Sequence, residues 1–258
     1  MNPRKIWSII KKELVSYFAS PIAYVILGIF TLLGGYFFYV RIQLYNYVSL
    51  QYMRYQGYIT SLNINDYIVK PMFANLAVIL LLLIPIVTMK SFAEEKRNGT
   101  KELVMTSPVT LTDILIGKFV SACIVFVTML VFTTSIPIFL IIYGEPDKGI
   151  ILTTYLGMFL MGSTMIAIGM FASSITENQI VAAVITFGLL LLFWAIGWVS
   201  HGVSPGLSTF LSYLSLIDIH FQDMIKGIID TRDIVYYLSG IFFFLFLTHR
   251  VLESERWR

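Results

Sequence analysis

The chain has 258 residues, of which 57% are hydrophobic and only 13% are charged. An average soluble domain is about half apolar and about a quarter charged. Too few polar side chains remain to cover a water-exposed surface, so the composition predicts an integral membrane protein. The net charge of +3 gives no reason to expect nucleic-acid binding, and a single cysteine, Cys123, excludes a disulfide within the chain.

Six apolar stretches approach or reach the roughly 20 residues that a membrane-spanning helix needs. They predict spans at Ile22 to Val40, Met72 to Met89, Phe119 to Ile142, Ile151 to Ala172, Ile180 to Val199 and Ile234 to Thr248. The sixth is the shortest and has the least defined ends. The sequence therefore predicts an all-α integral membrane protein, a six-transmembrane-helix bundle without a separate soluble domain.

Basic residues are distributed unequally between the predicted loops. With the amino terminus inside, about two thirds of the 18 Lys and Arg residues fall on the cytoplasmic side, which predicts that both termini are cytoplasmic. Tyrosines crowd the first outer segment, about Arg41 to Pro71. An aromatic belt at the lipid–water boundary explains them, and a ligand groove is the alternative.

The residues before the first span predict an amphipathic helix from Lys5 to Phe18. At 100° per residue, its large apolar side chains share one face: Trp7, Ile10, Leu14 and Phe18. The opposite face carries Lys5, Lys12 and Ser16. Such a helix is expected to lie along the inner membrane surface, and Ser20-Pro21 should break it and turn the chain into the first span.

No motif supplies an energy source or a catalytic group. The GxxxxGK[ST] phosphate loop is absent, so ATP binding by that route is not expected. His201, His220 and His249 are scattered, and their spacing predicts no metal site. The spans contain almost no ionisable residues, which argues against an ion-coupled carrier. The sequence thus predicts no catalytic residue and an energy source outside this chain.

The segment between spans two and three reads as helix, break, helix, break, helix. Asn98-Gly99 should end the first helix with a left-handed residue, and Thr100 can cap a short helix over Lys101 to Thr106 that Ser107-Pro108 ends. Thr110 or Thr112 can cap the third. A short helix held between two spans is expected to act as a lever for a docking partner. A solvated loop that supplies positive charge is the alternative.

The sequence EEKRNGTKELVMTSP over 94–108, followed by ILIGK over 114–118, resembles the signature of ABC type-2 exporter permeases. The resemblance implies that Thr100 to Thr106 is a coupling helix seated in a groove of an ATPase subunit. It also implies an elbow helix on the membrane that includes Trp7, Ile10, Lys12, Leu14 and Phe18. The implied ATPase-coupling interface comprises Glu94, Glu95, Arg97, Gly99, Thr100, Glu102, Leu103, Pro108, Gly117 and Lys118.

Two further stretches, Lys12 to Tyr24 and Leu216 to Tyr237, resemble a permease subfamily first named for bacterial gliding motility. The match covers nearly the whole chain, which implies one ABC type-2 transmembrane domain over 1–258. The implied function is the permease subunit of an ATP-driven exporter that moves an unidentified substrate across the bacterial cytoplasmic (inner) membrane. The alternative is a non-transporting anchor that transmits ATPase-driven force to an envelope machine such as a gliding apparatus.

The resemblance also implies the partners of the chain. ATP and Mg²⁺ would be bound by a separate ABC ATPase subunit, so the chain itself is expected to hold no cofactor and to be no enzyme. A second permease copy or a sister permease, an auxiliary membrane or periplasmic protein and membrane lipid are the other partners expected.

The last outer segment, Ser200 to Asp233, mixes apolar and polar residues. Its apolar residues repeat at helical spacing: Leu207, Phe210, Leu211, Leu214 and Ile217. This pattern predicts a helix that re-enters the outer leaflet, and the permease family has re-entrant helices at this point. Asp230 and Asp233 can cap the sixth span. His220 and Asp223, three residues apart, are expected to pair structurally, with a substrate or ion role as the alternative.

The predicted fourth span is rich in small residues. Ser163 with Ala167, and Gly169 with Ser173, have the small-xxx-small spacing that lets helices approach closely. We expect this spacing to serve packing inside the bundle, with a subunit interface as the alternative.

Overall fold

The computed structural model describes residues 3–54, 63–99, 110–144, 146–200 and 204–256, and the regular elements in these ranges are all helical. In chain order they are α1 (Pro3–Ala19), α2 (Pro21–Arg54), a π-helical turn (Asn65–Val69), α3 (Lys70–Thr88), α4 (Ala93–Arg97), α5 (Leu111–Thr133), α6 (Ser135–Tyr143), α7 (Lys148–Ile175), α8 (Gln179–Ser200), α9 (Pro205–Leu214), α10 (His220–Ile225) and α11 (Thr231–Arg256).

Six helical segments are long and apolar enough to cross a membrane, which confirms the predicted number of spans and the all-α class. We number them spans one to six: Pro21–Gln51, Asn65–Arg97, Leu111–Tyr143, Lys148–Ile175, Gln179–Val199 and Thr231–Glu255. The side of the bundle where α1, the end of span two and the end of span six meet is called the terminal side below. The side that carries α9 and α10 is called the far side.

The helices of several spans run beyond the predicted apolar stretches, and the sixth span is not the shortest. The sixth span has 25 residues and is longer than the fifth, which has 21. The helix of the first span continues to Arg54, so much of the segment from Arg41 onward is helical rather than a loop. Hydropathy marks where a chain leaves lipid, whereas the backbone hydrogen bonds of a helix continue into water. At 1.5 Å per residue, the 34 residues of α2 extend over about 51 Å, well beyond a hydrocarbon core of about 30 Å.

Three of the predicted helix boundaries on the terminal side, at Ser20-Pro21, Gly99 and Thr110, are confirmed. Helix α1 ends at Ala19, Ser20 forms a bend, and Pro21 opens α2 at a position where its missing N–H is harmless. Gly99, with φ of +66°, follows α4 in the left-handed region that glycine tolerates. Of the two candidate caps for α5, Thr110 is the one used, because its hydroxyl accepts a hydrogen bond of 3.2 Å from the Asp113 amide.

Spans two and four form the centre of the bundle, and the small residues of span four allow close packing there. A Cβ at Gly162 would lie 2.2 Å from Cε1 of Phe126 on span three, and one at Gly169 would lie 2.1 Å from Oγ1 of Thr88 on span two. These contacts are all within one chain. The prediction that the small residues serve internal packing is therefore confirmed at Gly169, and Gly162 serves in the same way.

Spans one, five and six lie at the periphery and leave large apolar side chains exposed, among them Leu32, Val184 and Phe242. A soluble domain rarely exposes such a surface, whereas a bundle surrounded by lipid or by a second subunit does so on every outward face. The architecture is that of a multi-pass membrane protein.

Candidate functional site

A buried lysine joins three helices on the terminal side. The Lys118 ammonium on α5 donates to Oε1 of Glu13 on α1 at 3.0 Å and to Oε1 of Glu95 on α4 at 2.9 Å. The Lys118 side chain is only 4% exposed. A charge at such depth is stable only when it is paired, and removing one partner of a buried pair costs about 3–5 kcal/mol. Lys118 therefore fixes the relative positions of α1, α4 and α5.

A second cation balances this cluster. Lys12 lies 3.7 Å from Oε1 of Glu95 and 4.0 Å from Oε1 of Glu13, with its side chain 66% exposed. The Phe92 ring lies 5.5 Å from the Lys118 ammonium and contributes a cation–π contact. The cluster thus contains two ammonium groups, the buried one of Lys118 and the exposed one of Lys12, which face the two carboxylates of Glu13 and Glu95. The charges of the four groups sum to zero.

The turn between α3 and α4 is held by a serine of span four. The Ser173 hydroxyl accepts hydrogen bonds of 3.1 Å from the backbone amides of Phe92 and Ala93 and donates one of 3.1 Å to the Met89 carbonyl. These amides open α4 and have no partner within the helix. Ser173 therefore serves as the cap of α4 from another element and ties the end of span two to span four.

Lys96 makes a second buried connection. Its side chain is 5% exposed and its ammonium donates to the Ser174 carbonyl on α7 and to the Glu255 carboxylate on α11. Span four and span six are thereby joined to α4. The five residues of α4 contact α1 and α5 through Glu95 and contact α7 and α11 through Lys96.

Helix α1 packs directly against the bundle. The Tyr17 hydroxyl donates to the Val87 carbonyl at 3.1 Å, and burial raises the pKa of this phenol, which keeps it a neutral donor. At Gly117 on α5, a Cβ would lie 2.7 Å from Cγ2 of Ile9, so only glycine allows the two helices to approach this closely. Helix α1 is therefore a packed part of the bundle.

A separate polar cluster lies on the far side. The His220 ring is fully buried, with Nδ1 at 2.7 Å from Oδ1 of Asp233 and Nε2 at 3.0 Å from the Tyr213 carbonyl. It also stacks on the Tyr236 ring with 3.9 Å between the ring centroids. The cluster joins α9, α10 and the first turn of α11 into one packed unit.

This geometry corrects the predicted partner of His220. Asp223 instead pairs with Lys226 at 3.3 Å near the surface, while the buried carboxylate that meets the imidazole is Asp233. The reason is burial: the ring turns into the interior, where the start of span six supplies the only carboxylate that contacts it among the described residues. Asp230 caps α11 as predicted, since its Oδ1 accepts from the Arg232 amide at 2.8 Å.

A model of the ABC-2 family transporter protein matches residues 7–249. The chain belongs to the ABC-2 transporter family. Two similar curated proteins, from Escherichia coli strain K12 and from Escherichia coli O157:H7, are both named probable multidrug ABC transporter permease YbhR. Each is 31% identical over 147 residues, a match that covers 55% of this chain and 39% of the relative. The chain thus spans about two fifths of the length of these relatives.

The family assignment confirms the resemblance at its coarser level. ABC-2 permeases work in general with an ATPase that a partner subunit carries. The narrower resemblance to gliding-motility permeases stays a prediction. Within this ABC-2 permease, the structure brings Glu95, Gly117 and Lys118 together at the junction of α1, α4 and α5, whereas Glu94 is half-buried and Arg97 is exposed at the end of α4.

Other residues of the predicted interface lie outside the described residues. They belong to the range 100–109 and are Thr100, Glu102, Leu103 and Pro108. Two described residues border this range: Gly99, which is exposed, and Thr110, which caps α5. The coupling role of these residues stays a prediction.

The apolar face of the predicted elbow helix is divided between protein and surface. Ile10 is buried, and Leu14 and Phe18 pack partly against the core of the permease. Trp7 is 64% exposed and Lys12 points to the carboxylates of the Lys118 cluster. Three of the four large apolar side chains on this face of α1, those of Ile10, Leu14 and Phe18, thus contact the spans instead of being free to lie on the membrane.

Sequence reasoning missed Glu13, Lys96, Ser173 and Glu255 as parts of this junction. One signal was available for Lys96. It follows the buried Ala93 by three residues, which places both side chains on one face of α4, the face that packs against the spans. The hydrogen bonds of Glu13, Ser173 and Glu255 join residues that lie between 80 and 159 positions apart in the sequence, and no local pattern indicates them.

Proposed function

We propose that this chain is the membrane-spanning permease subunit of an ATP-driven exporter. The observation that carries the proposal is the Lys118 cluster. It ties α4, which precedes the 100–109 segment, to α5, which follows it, through the 2.9 Å bond between Glu95 and Lys118. Both ends of the segment are therefore held together, and Glu13 adds α1 to the same unit.

Because α1, α4 and α5 are joined in this way, a force applied at residues 100–109 moves all three helices together. A partner that grips residues 100–109 moves the end of span two and the start of span three together, because the buried ion pairs resist their separation. Lys96 passes the displacement to spans four and six through Ser174 and Glu255. In this proposal ATP hydrolysis in the partner rocks the bundle as a body.

The other parts of the proposal follow from the same scheme. The terminal side is cytoplasmic, in a bacterial inner membrane, because the ATPase and its ATP and Mg²⁺ are cytoplasmic. A second permease copy or a sister permease completes the pathway. The exposed apolar faces of spans one, five and six offer a surface on which this second subunit can pack. The similar proteins are named probable multidrug ABC transporter permeases, so apolar drug-like compounds are the first substrates to test.

The test uses the permease reconstituted in nanodiscs with its ATPase subunit. Glu102→Lys is expected to abolish the stimulation of ATP hydrolysis by the permease while leaving membrane insertion intact. Glu177→Lys is the matched control. It introduces the same change of charge at an exposed position between spans four and five, on the terminal side. The control is expected to keep the wild-type stimulation.

Two results would contradict the proposal: equal stimulation by both variants, or transport by the purified chain without any ATPase. Normal stimulation of ATP hydrolysis without movement of any tested compound would instead favour a force-transmitting anchor. A cysteine-labelling assay on intact cells checks the orientation separately, since Lys11→Cys should react only after the cytoplasmic membrane is opened.

A further inference from the structure

A crevice on the terminal side lies between α1, the start of span one and the end of span two. The empty space, including the open mouth, measures about 520 Å³. Its floor is apolar and largely buried, formed by Ala23, Ile26, Val87 and Val125. The space opens where the amphipathic α1 meets the first residues of span one. For an amphipathic helix that lies at the membrane surface, this junction is expected near the depth at which a lipid headgroup passes into its acyl chains.

The rim of the crevice is polar and carries charges of both signs. It is formed by Glu13, Ser16, Ser20, Lys90 and Glu94. Glu13 is already engaged by Lys118 at 3.0 Å. Within the ranges that the structure describes, neither Lys90 nor Glu94 has an oppositely charged partner within 4.0 Å, although both are half-buried. One ammonium and one carboxylate at the rim are therefore available to a ligand.

We propose that this crevice binds a phospholipid with an ethanolamine headgroup. The lipid ammonium donates hydrogen bonds to the Glu94 carboxylate, the lipid phosphate accepts from the Lys90 ammonium, and an acyl chain lies on the apolar floor. Charge-assisted hydrogen bonds of this kind are stronger than neutral ones and depend on N–H donors. A choline headgroup has the same charges but no N–H, and a glycerol headgroup has no cation.

This site goes beyond the proposed transport function and does not depend on it. It would place a membrane lipid between α1 and α4, next to the Lys118 cluster that joins them. A bound lipid would then link the position of α1 to the lipid composition of the leaflet on the terminal side. Its binding is measurable on the permease without its ATPase and without knowledge of the substrate.

The test is native mass spectrometry of the full-length chain with an equimolar mixture of ethanolamine, choline and glycerol phospholipids of identical acyl chains. Ethanolamine lipid is expected to be retained about tenfold over choline lipid, a ratio that corresponds to about 1.4 kcal/mol. Glu94→Gln should remove this preference, and the matched exposed control Glu177→Gln should keep it. Lys90→Gln should weaken retention of ethanolamine and glycerol lipids alike, whereas the exposed control Lys11→Gln should not.

Equal retention of ethanolamine and choline lipids by the wild type would overturn the proposal, as would a preference for glycerol lipid or an equal effect of Glu94→Gln and Glu177→Gln. A second measurement needs no variant. Successive N-methylation of the ethanolamine headgroup removes one N–H at a time, so retention by the wild-type chain should fall stepwise. Retention that is independent of methylation would also overturn the proposal.

Discussion

Gly117 on α5 and Ile9 on α1 approach each other so closely that a Cβ on the glycine would lie 2.7 Å from Cγ2 and 2.9 Å from Cβ of the isoleucine. Ile9 is β-branched and has little freedom to move away. The contact sets the distance between α1 and the start of span three, and with it the geometry that lets Lys118 reach Glu13.

We therefore expect Gly117→Ala to destabilise the permease by about 1–3 kcal/mol, the usual range for overpacking. Gly28→Ala in span one is the control, because nothing lies within 4 Å of the added methyl group and alanine favours helix. Thermal unfolding in nanodiscs measures the stability of both variants relative to the wild type. Equal stability of the two variants would show that α1 is free to shift away from α5.

Loss of the buried lysine should have a larger effect. Lys118→Met takes away the ammonium that Glu13 and Glu95 share, and we expect a loss of about 3–5 kcal/mol. Combining it with Glu13→Gln and Glu95→Gln removes the unbalanced charges and should restore most of the stability. Lys11→Met, at an exposed position of α1, is the control. A triple variant no more stable than Lys118→Met would mean that packing, not charge, is what Lys118 provides.

The bond between Lys96 and Glu255 is tested by a double-mutant cycle. With the Lys96 side chain 5% exposed, we expect Lys96→Met and Glu255→Gln to show a coupling energy of about 1–3 kcal/mol. The exposed pair of Arg250 and Glu253, at 2.9 Å, should give less than about 1 kcal/mol in the same measurement. Similar coupling in both cycles would argue that span six is not held by Lys96.

On the far side, the partner of His220 can be identified by substitution. Asp233→Ala should destabilise by about 2–4 kcal/mol, because it leaves a buried imidazole nitrogen without its partner. Asp233→Asn should be far milder, since its amide can still hydrogen-bond Nδ1. Asp223→Ala changes a surface pair and should stay within about 0.5 kcal/mol of the wild type. A large effect of Asp223→Ala would favour the partner that the sequence suggested.

The sequence by itself determined the features that depend on neighbours in the chain. Six apolar stretches gave the number of spans, and helix ends at Ser20-Pro21, Gly99 and Thr110 followed from residues whose conformational limits or side-chain bonds act within four positions. The helices of spans one and six run beyond the predicted ends of these spans because hydropathy does not report where a helix stops.

Only the tertiary structure decided which charged residues meet. Lys118 was singled out from its motif, yet its partner Glu13 is 105 residues away, and Lys96 reaches Glu255 across 159 residues. Asp233 rather than Asp223 meets His220 for the same reason. A buried charge takes the partner that the packing of helices brings within about 3 Å, and that packing depends on steric fits such as Gly117 against Ile9, which no local pattern encodes.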